Sequence, residues 1–365
     1  FLAGEKVIRE AAEALRKGNR RNLDILPLFA RLSAQEQHRI FHPTSQTRRV
    51  ILATNIAETS LTVPGIRFVI DTGLARVKRY SALAKVEQLH IAQISQSTVR
   101  PRAGRCGRVA AGVAIRLYAE DDFNTRSEYT DPEILRSNLA AVILRMVSLQ
   151  LGDVAAFPFL QAPEQRYIND GFQVLLELGA VDDNNRLTKL GEQMAKLPVD
   201  PTIARMLLAA TRLNCVPEIL IIVSALSIQD PRERPFEARD AADKMHERFK
   251  DKESDFLSYL YLWEFFLQTR AQKSYKQTMQ VLQQHFLSVP RMREWRELHQ
   301  QLEQTARELE LLPKAGAASE SVSHVKTNKA NPKFQKSEHA VDDKTVNKMR
   351  QHGGTEASYD QIHRA

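Results

Sequence analysis

Arginines recur at every third residue from Arg102 to Arg108, and two glycines lie between them. A solvated helix face could carry arginines at this spacing. Gly104 and Gly107 argue against a helix, because each glycine costs roughly 1 kcal/mol in a helix interior relative to alanine. Close approach of the backbone to a bulky anion explains them better, and the planar guanidinium suits phosphate oxygens. The segment therefore predicts phosphate chemistry, with a structural basic cluster as the alternative.

A second polar segment, residues 53–66, directly follows a predicted strand and contains Asn55, Glu58 and Thr59. Hydroxyl and amide side chains at a strand-to-helix junction can bind phosphate oxygens together with the free backbone N–H groups of the helix. The alternative is a capped but otherwise ordinary helix. The residues by themselves leave these two interpretations balanced.

Alternating helices and strands are predicted around both segments. A helix over Glu5–Leu15 stops at Gly18, and a second begins at Ser33, a good N-cap, with Glu36 three residues on as in a capping box. Strands separated by helices predict an α/β domain with a mainly parallel sheet. The predicted strands are Arg49–Ala53, Ile66–Ile70 and Val113–Tyr118, with a hairpin formed by Arg76–Tyr80 and Val86–Ile91.

Helices dominate after about residue 131. One helix is predicted to run from Pro132, in its first turn, to Leu149, and another over Ile168–Leu178. A small hairpin over residues 180–188 follows, and this order is typical of a winged-helix module. From there to about residue 310, successive helices separated by prolines predict a bundle.

Aromatic residues inside the bundle region, Trp263, Phe265 and Phe266, are predicted to pack in its core rather than stack on bases. After Pro313 the chain is poor in large apolar residues, which predicts a mobile linker. The last residues, 359–365, are expected to begin a further element.

Composition narrows the function classes only slightly. Lys plus Arg outnumber Asp plus Glu by 52 to 44 in 365 residues, which is compatible with nucleic acid or an acidic partner. The two cysteines, Cys106 and Cys215, form neither a disulfide framework nor a zinc pattern and favour a reduced, cytoplasmic setting. No uninterrupted apolar run is long enough to span a membrane, and no signal peptide is evident. The first residues suggest a sequence that begins within a domain.

Three segments, in order, resemble motifs IV, V and VI of the second RecA-like domain of DEAH-box RNA helicases. They are residues 1–5 (Phe-Leu-Ala-Gly-Glu), residues 53–66 and residues 102–108 (Arg-Ala-Gly-Arg-Cys-Gly-Arg). Residues 187–201 resemble the end of that family's winged helix, and residues 225–235 resemble its ratchet-like bundle.

The bacterial HrpA-type branch of the family is indicated by residues 119–123 and 291–295, and the resemblance covers about residues 1–312. It implies a partial α/β RecA-like domain, then a winged-helix module and an all-α, ratchet-like helical bundle. The expected domains are residues 1–125, 126–190 and 191–312, a flexible linker at 313–358, and the start of a truncated C-terminal element at 359–365.

The resemblance implies the C-terminal portion of an ATP-dependent 3′-to-5′ RNA helicase, with ATP and Mg²⁺ as cofactors. Arg105 and Arg108 match the two catalytic arginine fingers that reach the γ-phosphate. Arg102 and Gly104 belong to the same motif and are implied as further nucleotide-binding residues. Such fingers are worth about 10³ to 10⁵ in rate.

RNA contacts are implied for Gly4, Asn55 and Thr59, which match motifs IV and V. Contacts of this kind go to phosphate and sugar, so binding should be independent of sequence and sensitive to salt. The implied partners are single-stranded RNA, a first RecA-like domain and a ribosome or other ribonucleoprotein, with no membrane.

Two features depart from the family pattern. Pro101 stands where motif VI has glutamine, and proline has neither a side-chain amide nor an N–H with which to orient water. None of the 14 glycines is followed by lysine and no aspartate by glutamate, so the Walker A loop and the DEAH box are absent from this sequence. The chain alone is therefore expected not to hydrolyse ATP.

Two alternatives from other classes stay open. A non-catalytic module of these domains could bind RNA or dock onto a helicase without hydrolysis, and Pro101 supports this idea. A DNA helicase or a winged-helix transcription factor is the other, although the arginines and motif V make a regulator a poor fit. The preference for RNA rests on the resemblance, because no residue visibly reads a 2′-hydroxyl.

Overall fold

The structure is a computed structural model that describes residues 1–18, 22–42, 47–59, 62–81, 86–312 and 359–365. The predicted linker after Pro313 lies outside the described residues. The chain forms two compact units. The first comprises Phe1–Ile143, Leu151–Gly171 and Glu233–Ala242, and the second comprises Leu144–Gln150, Phe172–Arg232 and Asp243–Ala365.

The described strands of the first unit associate in three pairs. Two pairs are parallel, as the sequence predicts, and the third is the predicted antiparallel hairpin. The parallel pairs are β1 (Leu23–Leu28) with β2 (Arg48–Ala53) and β3 (Phe68–Asp71) with β6 (Val113–Arg116), and the hairpin pairs β4 (Leu74–Ser81) with β5 (Val86–Gln93). Strand β1 is absent from the predictions.

Within the described ranges, the helices that accompany these strands are α1 (Glu5–Lys17), α2 (Ala34–Phe41), α3 (Ile56–Thr59), α4 (Gln96–Ala103) and α5 (Glu120–Thr125). Helix α1 ends at Gly18, as predicted, and α2 begins with the predicted capping box between Ser33 and Glu36. A core of Ile8, Leu28 and Ile40, each buried, joins α1, β1 and α2. Burial of these side chains accounts for the apolar spacing of the two helices.

The first residues of the chain lie between two of the strand pairs. The backbone N–H of Leu2 donates to the carbonyl of Ala53 at 2.8 Å, at the end of β2. The amino group of Phe1 donates to the carbonyl of Ile70 in β3 at 2.6 Å. Residues 1 and 2 therefore connect β2 and β3. Strand β2 leads into α3, and β3 ends at Asp71.

The prediction of a single helix from Pro132 to Leu149 is wrong, because residues 136–139 are not helical. Pro132 instead precedes a short 3₁₀ turn, Glu133–Leu135. Helix α6 (Ala140–Ser148) then begins anew, with the Asn138 side chain accepting from the Ala140 N–H at 2.7 Å. A local side-chain cap of this kind competes with helix continuation.

Helix α7 (Gln165–Glu177) and helix α8 (Lys189–Lys196) flank the predicted small hairpin. The hairpin consists of one antiparallel bridge between Val181 and Leu187. Thr188 then caps α8 by accepting from the Gly191 N–H at 3.0 Å. The order helix, helix, hairpin of the prediction is therefore present.

Successive helices form the bundle region, as predicted: α9 (Pro201–Leu213), α10 (Val216–Leu226), α11 (Arg239–His246), α12 (Asp255–Gln272), α13 (Tyr275–Gln284) and α14 (Val289–Glu308). Trp263, Phe265 and Phe266 are buried in its core together with Trp295, which confirms their predicted role. The indole N–H of Trp295 donates to the Ser224 hydroxyl at 2.9 Å, so its polar atom is satisfied.

The C-terminal residues form a short helix, α15 (Tyr359–Arg364), as the sequence suggests. Its Ile362 is buried in the second unit, and the Ser254 hydroxyl lies 2.7 Å from the His363 ring. Among the described residues, no helix is long and apolar enough to cross a membrane. The same residues contain no group of metal-ligating side chains.

Candidate arginine-rich phosphate site

Arg102, near the end of α4, is only 1% exposed and is enclosed by acidic partners. Its Nη1 donates to Asp71 Oδ1 at 2.8 Å and its Nε to Glu58 Oε2 at 3.1 Å. The same Nη1 donates to the Leu74 carbonyl at 3.2 Å, and the Phe1 ring centre lies 4.8 Å from the guanidinium carbon. Arg102 is therefore too buried to touch a ligand in this conformation.

The partners of Arg102 come from three elements. Glu58 belongs to α3, Asp71 ends β3 and Leu74 begins β4. One guanidinium thus ties the helix of the arginine segment to the helix of the second polar segment and to the adjoining strands. Charge-assisted hydrogen bonds of this geometry position what they join. Sequence reasoning missed Asp71, whose only signal was its place at the end of a predicted strand.

Arg105 and Arg108 follow α4 and lie nearer the surface. The N–H of Arg105 donates to the Arg102 carbonyl at 3.1 Å and its Nε to the Pro101 carbonyl at 3.3 Å, so the helix end sets its direction. Arg105 is half-buried and Arg108 is exposed. Burial and then the charge of Arg108 lower the pKa of Arg105, but a guanidinium stays protonated in proteins.

Glycines shape the loop that carries these two arginines. A Cβ on Gly112 would lie 2.3 Å from the Cys106 carbonyl oxygen, so only glycine fits there. Gly107 faces open space, with no atom within 4 Å of such a Cβ. A Cβ on Gly104 would lie 3.4 Å from the Arg100 carbonyl oxygen, which is an ordinary van der Waals contact. The close backbone approach inside the protein is thus at Gly112. Gly107 leaves room for a ligand to approach the backbone.

Asn55 and Thr59 are the predicted RNA contacts of the second polar segment. Asn55 directly precedes α3, Thr59 ends it, and both are exposed. Glu58 lies between them in sequence and is partly buried against Arg102. Burial raises the pKa of Glu58, while its hydrogen bond to Arg102 acts in the opposite direction. The segment around α3 therefore presents polar side chains outward and one carboxylate inward, toward the arginine segment.

Gly4, the third predicted RNA contact, is buried at the start of α1. A Cβ at this position would lie 2.8 Å from Nε of Arg76, a residue of β4. Gly4 thus allows the Arg76 side chain to cross the start of the helix. Arg76 itself is exposed and was not among the predicted site residues.

Pro101 is accommodated inside α4 without ending it. The helix continues for two residues, and the Gly104 N–H still donates to the Arg100 carbonyl at 2.9 Å. Proline removes one donor from the helix, while its own carbonyl accepts from Arg105. The backbone therefore carries both arginines with proline at this position.

Three family models match the chain in the order that the fold suggests. Residues 1–110 match the helicase conserved C-terminal domain. Residues 173–199 match the winged-helix part of the helicase associated domain HA2, and residues 200–259 match its ratchet-like part.

Relatives give the same result over most of the chain. An "ATP-dependent RNA helicase HrpA homolog" of Haemophilus influenzae is 54% identical over 318 residues, which is 85% of this chain and 24% of that protein. "ATP-dependent RNA helicase HrpA" of Escherichia coli is 52% identical over 314 residues, again 85% and 24%. The chain belongs to the HrpA-type DEAH-box helicase family. The human "Probable ATP-dependent RNA helicase DHX35" is 35% identical over 298 residues, 79% of this chain and 42% of that protein.

The predicted fold class is confirmed: a RecA-like α/β part, a winged helix and a ratchet-like helical part follow one another, as in the HA2-containing helicases. The chain spans about 24% of the length of its two HrpA-type relatives. The domain boundaries and the roles of individual site residues stay predictions.

Proposed function

We propose that this chain provides the arginine-finger face of the ATPase site, and part of the RNA-binding path, of an ATP-dependent 3′-to-5′ RNA helicase. The proposal rests on a difference in burial among the three arginines of one motif. Arg102 is buried on two carboxylates, whereas Arg105 and Arg108 follow the same helix end towards the surface. Arg102 is held in place by its ion pairs, and the two following arginines are more exposed. Guanidiniums positioned in advance in this way suit the neutralisation of charge in a transition state.

Arg105 and Arg108 would contact the γ-phosphate of ATP and stabilise the charge that spreads over its oxygens, an effect worth about 10³ to 10⁵ in rate. ATP with Mg²⁺ supplies the transferable phosphoryl group. A first RecA-like domain would hold the other phosphates and the metal ion, because this sequence contains no Gly-Lys pair for a P-loop. The chain alone is therefore proposed to be inactive in hydrolysis.

Arg102 is assigned a positioning role rather than a phosphate contact. Its bonds to Glu58 and Asp71 would hold α4 in register with α3. Gly104, at the end of α4, would allow the backbone to come close to a phosphate. A change at the nucleotide would then be transmitted to α3 through a short, rigid network.

Asn55 and Thr59, exposed on either side of Glu58, would bind the backbone of single-stranded RNA, and Gly4 would lie on the same path. Because such contacts go to phosphate and sugar, binding would depend on salt and little on sequence. A cytoplasmic setting and a ribosome or other ribonucleoprotein as partner stay part of this proposal.

A chimera tests the proposal. The matched 314 residues of the Escherichia coli relative are replaced by their counterparts from this chain, and RNA-stimulated ATP hydrolysis is measured. We expect activity in the chimera, and a loss of at least about 10³-fold in kcat with Arg105→Ala. Arg100→Ala, at an exposed arginine on the same helix, is the matched control and should keep the activity.

Pro101→Gln in the chimera distinguishes an active helicase from a non-catalytic binding module. If the proline chimera hydrolyses ATP, proline is tolerated and the enzyme proposal stands. If only the glutamine version is active, a non-catalytic RNA-binding or helicase-docking module becomes the better account of this chain. Activity that survives Arg105→Ala would contradict the arginine-finger assignment.

A further inference from the structure

Arg126, the residue that follows α5, is buried at 8% exposure, and three neighbours enclose its guanidinium. Its Nη1 donates to the Gly73 carbonyl at 3.1 Å, and its Nη2 donates to Asp122 Oδ2 at 2.5 Å. The centre of the Tyr118 ring lies 4.1 Å from the guanidinium carbon. A side chain so enclosed cannot reach a nucleotide, so any part it has in the reaction must pass through the groups that it holds.

The first of these groups is the turn between β3 and β4. At this turn, Asp71 Oδ1 accepts from the Gly73 N–H at 2.9 Å and from Nη1 of Arg102 at 2.8 Å. Gly73 has a φ of +71°, and a Cβ there would lie 2.6 Å from the Tyr118 ring and 2.8 Å from Nη1 of Arg126. The turn is therefore packed directly against Arg126, and its carboxylate holds the arginine near the end of α4.

The opposite end of α4 is held by the backbone of Arg126 and the two residues after it. The Gln96 N–H donates to the Ser127 carbonyl at 3.0 Å, and Nε2 of Gln96 donates to the Arg126 carbonyl at 2.8 Å. The Ser97 N–H donates to the Glu128 carbonyl at 2.9 Å. Because the first N–H groups of a helix have no partner within it, this segment supplies the partners that the start of α4 lacks.

We propose that Arg126 is a positioning residue of the ATPase site, which fixes both ends of α4 and thereby the direction of the two arginines that follow it. The inference rests on the proposed function, in which Arg105 and Arg108 contact the γ-phosphate. Groups that stabilise a transition state must be held in place before the reaction, because a displacement of about 1 Å can cost about 10²-fold in rate. Arg126 would prevent such a displacement.

The alternative is that Arg126 only stabilises the first unit. Desolvation offsets much of the attraction in a buried ion pair, so the pair of Arg126 with Asp122 is weak evidence for a stabilising role. The hydrogen bond to the Gly73 carbonyl spans 53 residues and joins the end of α5 to the turn that holds Arg102. This long-range connection favours a role in geometry.

The test uses the chimera with the Escherichia coli relative and measures RNA-stimulated release of radiolabelled phosphate. Arg126→Gln should lower kcat about 10- to 100-fold, because the two fingers would no longer meet the γ-phosphate in the required position. The KM for ATP should change less than about twofold, because an interaction made only in the transition state leaves ground-state binding unchanged. A raised KM with an unchanged kcat would overturn the proposal.

A second background separates positioning from stability. In a chimera that carries Arg105→Ala and Arg108→Ala, Arg126→Gln should lower the remaining kcat by no more than about twofold, because no finger is left to position. An equal loss in both backgrounds would mean that Arg126 acts only through stability, and would overturn the proposal. A kcat that stays within about twofold of the parent chimera in Arg126→Gln would overturn it too.

Arg116→Gln is the matched control, because Arg116 is exposed and its guanidinium carbon lies 4.9 Å from the centre of the Phe123 ring in α5. It should keep kcat within about twofold of the parent. Thermal unfolding checks that each variant is folded.

Arg126→Lys provides the same comparison if Arg126→Gln does not fold. Lysine keeps the buried charge but lacks the planar fork that binds Gly73 and Asp122 together. Its kcat should fall about fivefold in the parent chimera, as expected for one lost hydrogen bond. In the chimera without fingers it should fall by no more than about twofold, and equal losses would again overturn the proposal.

The same chimera separates a failure of this role from a failure of the proposed function. Activity that survives the loss of both Arg105 and Arg108 would reject the proposed function itself. Activity that depends on these two arginines but not on Arg126 would reject the positioning role alone.

Discussion

Arginines lie in opposite surroundings in two regions of the molecule. One region is the α4 segment with Arg102, and the other is a pocket among α12, α13 and α14, the bundle pocket, which is lined by Arg270, Lys273, Arg293 and Arg296. Arg102 is buried and shares two carboxylates. Arg270 and Arg293 are exposed beside a positive pocket that no acidic residue lines. The difference teaches that the partners of an arginine, rather than its motif, indicate whether it stabilises the fold or is available to a ligand.

The physical reason is the balance between desolvation and pairing. A buried guanidinium persists only with good ionic partners, and removal of one partner leaves an uncompensated charge. An exposed guanidinium keeps its hydration and contributes little to stability until a ligand replaces the water. The two regions should therefore respond very differently to loss of an arginine.

The largest effect is expected for Arg102→Met, which removes the buried charge at similar volume. Asp71 would be left buried and unpaired, so we expect a loss of about 3 to 5 kcal/mol in the free energy of local opening. Hydrogen exchange of peptides from α3, β3 and α4 measures it. Arg270→Gln with Arg293→Gln, in the pocket, should change the stability of the second unit by no more than about 0.5 kcal/mol.

A second substitution checks the cause. Asp71→Asn added to Arg102→Met removes the unpaired negative charge of Asp71. The double variant should recover part of the lost protection from hydrogen exchange. Non-additivity of the two changes would show that they act through one interaction. If Arg102→Met costs no more than the pocket variant, the proposed contrast between the two regions is broken.

An intermediate effect is expected at the loop that holds Arg105 and Arg108. Gly112→Ala places a Cβ 2.3 Å from the Cys106 carbonyl oxygen, and the backbone must move. We expect a destabilisation of about 1 to 3 kcal/mol, with reduced ATP hydrolysis in the chimera. Gly107→Ala is the matched control for stability alone, because no protein atom lies within 4 Å of the added methyl group. Equal effects at both glycines would argue against a packed loop.

The smallest effect concerns pH and the second unit. Burial is the main factor that lowers the pKa of His285 and of His299 from the usual 6.5. The unfolded chain therefore binds protons more readily than the folded one. The stability that the two neutral histidines contribute is present above pH 6.5 and is lost as the pH falls from 6.5 towards their lowered pKa. Urea unfolding followed by tryptophan fluorescence should show lower stability at mildly acidic pH.

The two tryptophans make this measurement specific, because both lie in the bundle core and the His299 ring is centred 4.8 Å from that of Trp263. His299→Gln should weaken the pH dependence. His42→Gln, in the first unit, serves as the control and should leave the tryptophan transition unchanged. A pH dependence that persists undiminished in His299→Gln would reject this histidine as its source.

The sequence predicted features that depend on neighbouring residues. The capping box at Ser33 and the end of α1 at Gly18 were confirmed, because both rely on interactions within a few residues. The ordered motifs also led to the family, which the relatives confirm. The single helix from Pro132 was wrong because Asn138 caps a new one.

Tertiary structure alone decided what each arginine touches. Arg102 meets Glu58 across 44 residues and Asp71 across 31, and no local periodicity encodes such pairs. The bundle pocket likewise gathers cations from neighbouring helices, although each looks like an ordinary surface residue in the sequence. Helix caps and apolar spacing are set by short-range interactions, whereas burial and ion pairing depend on which distant segments the fold brings together.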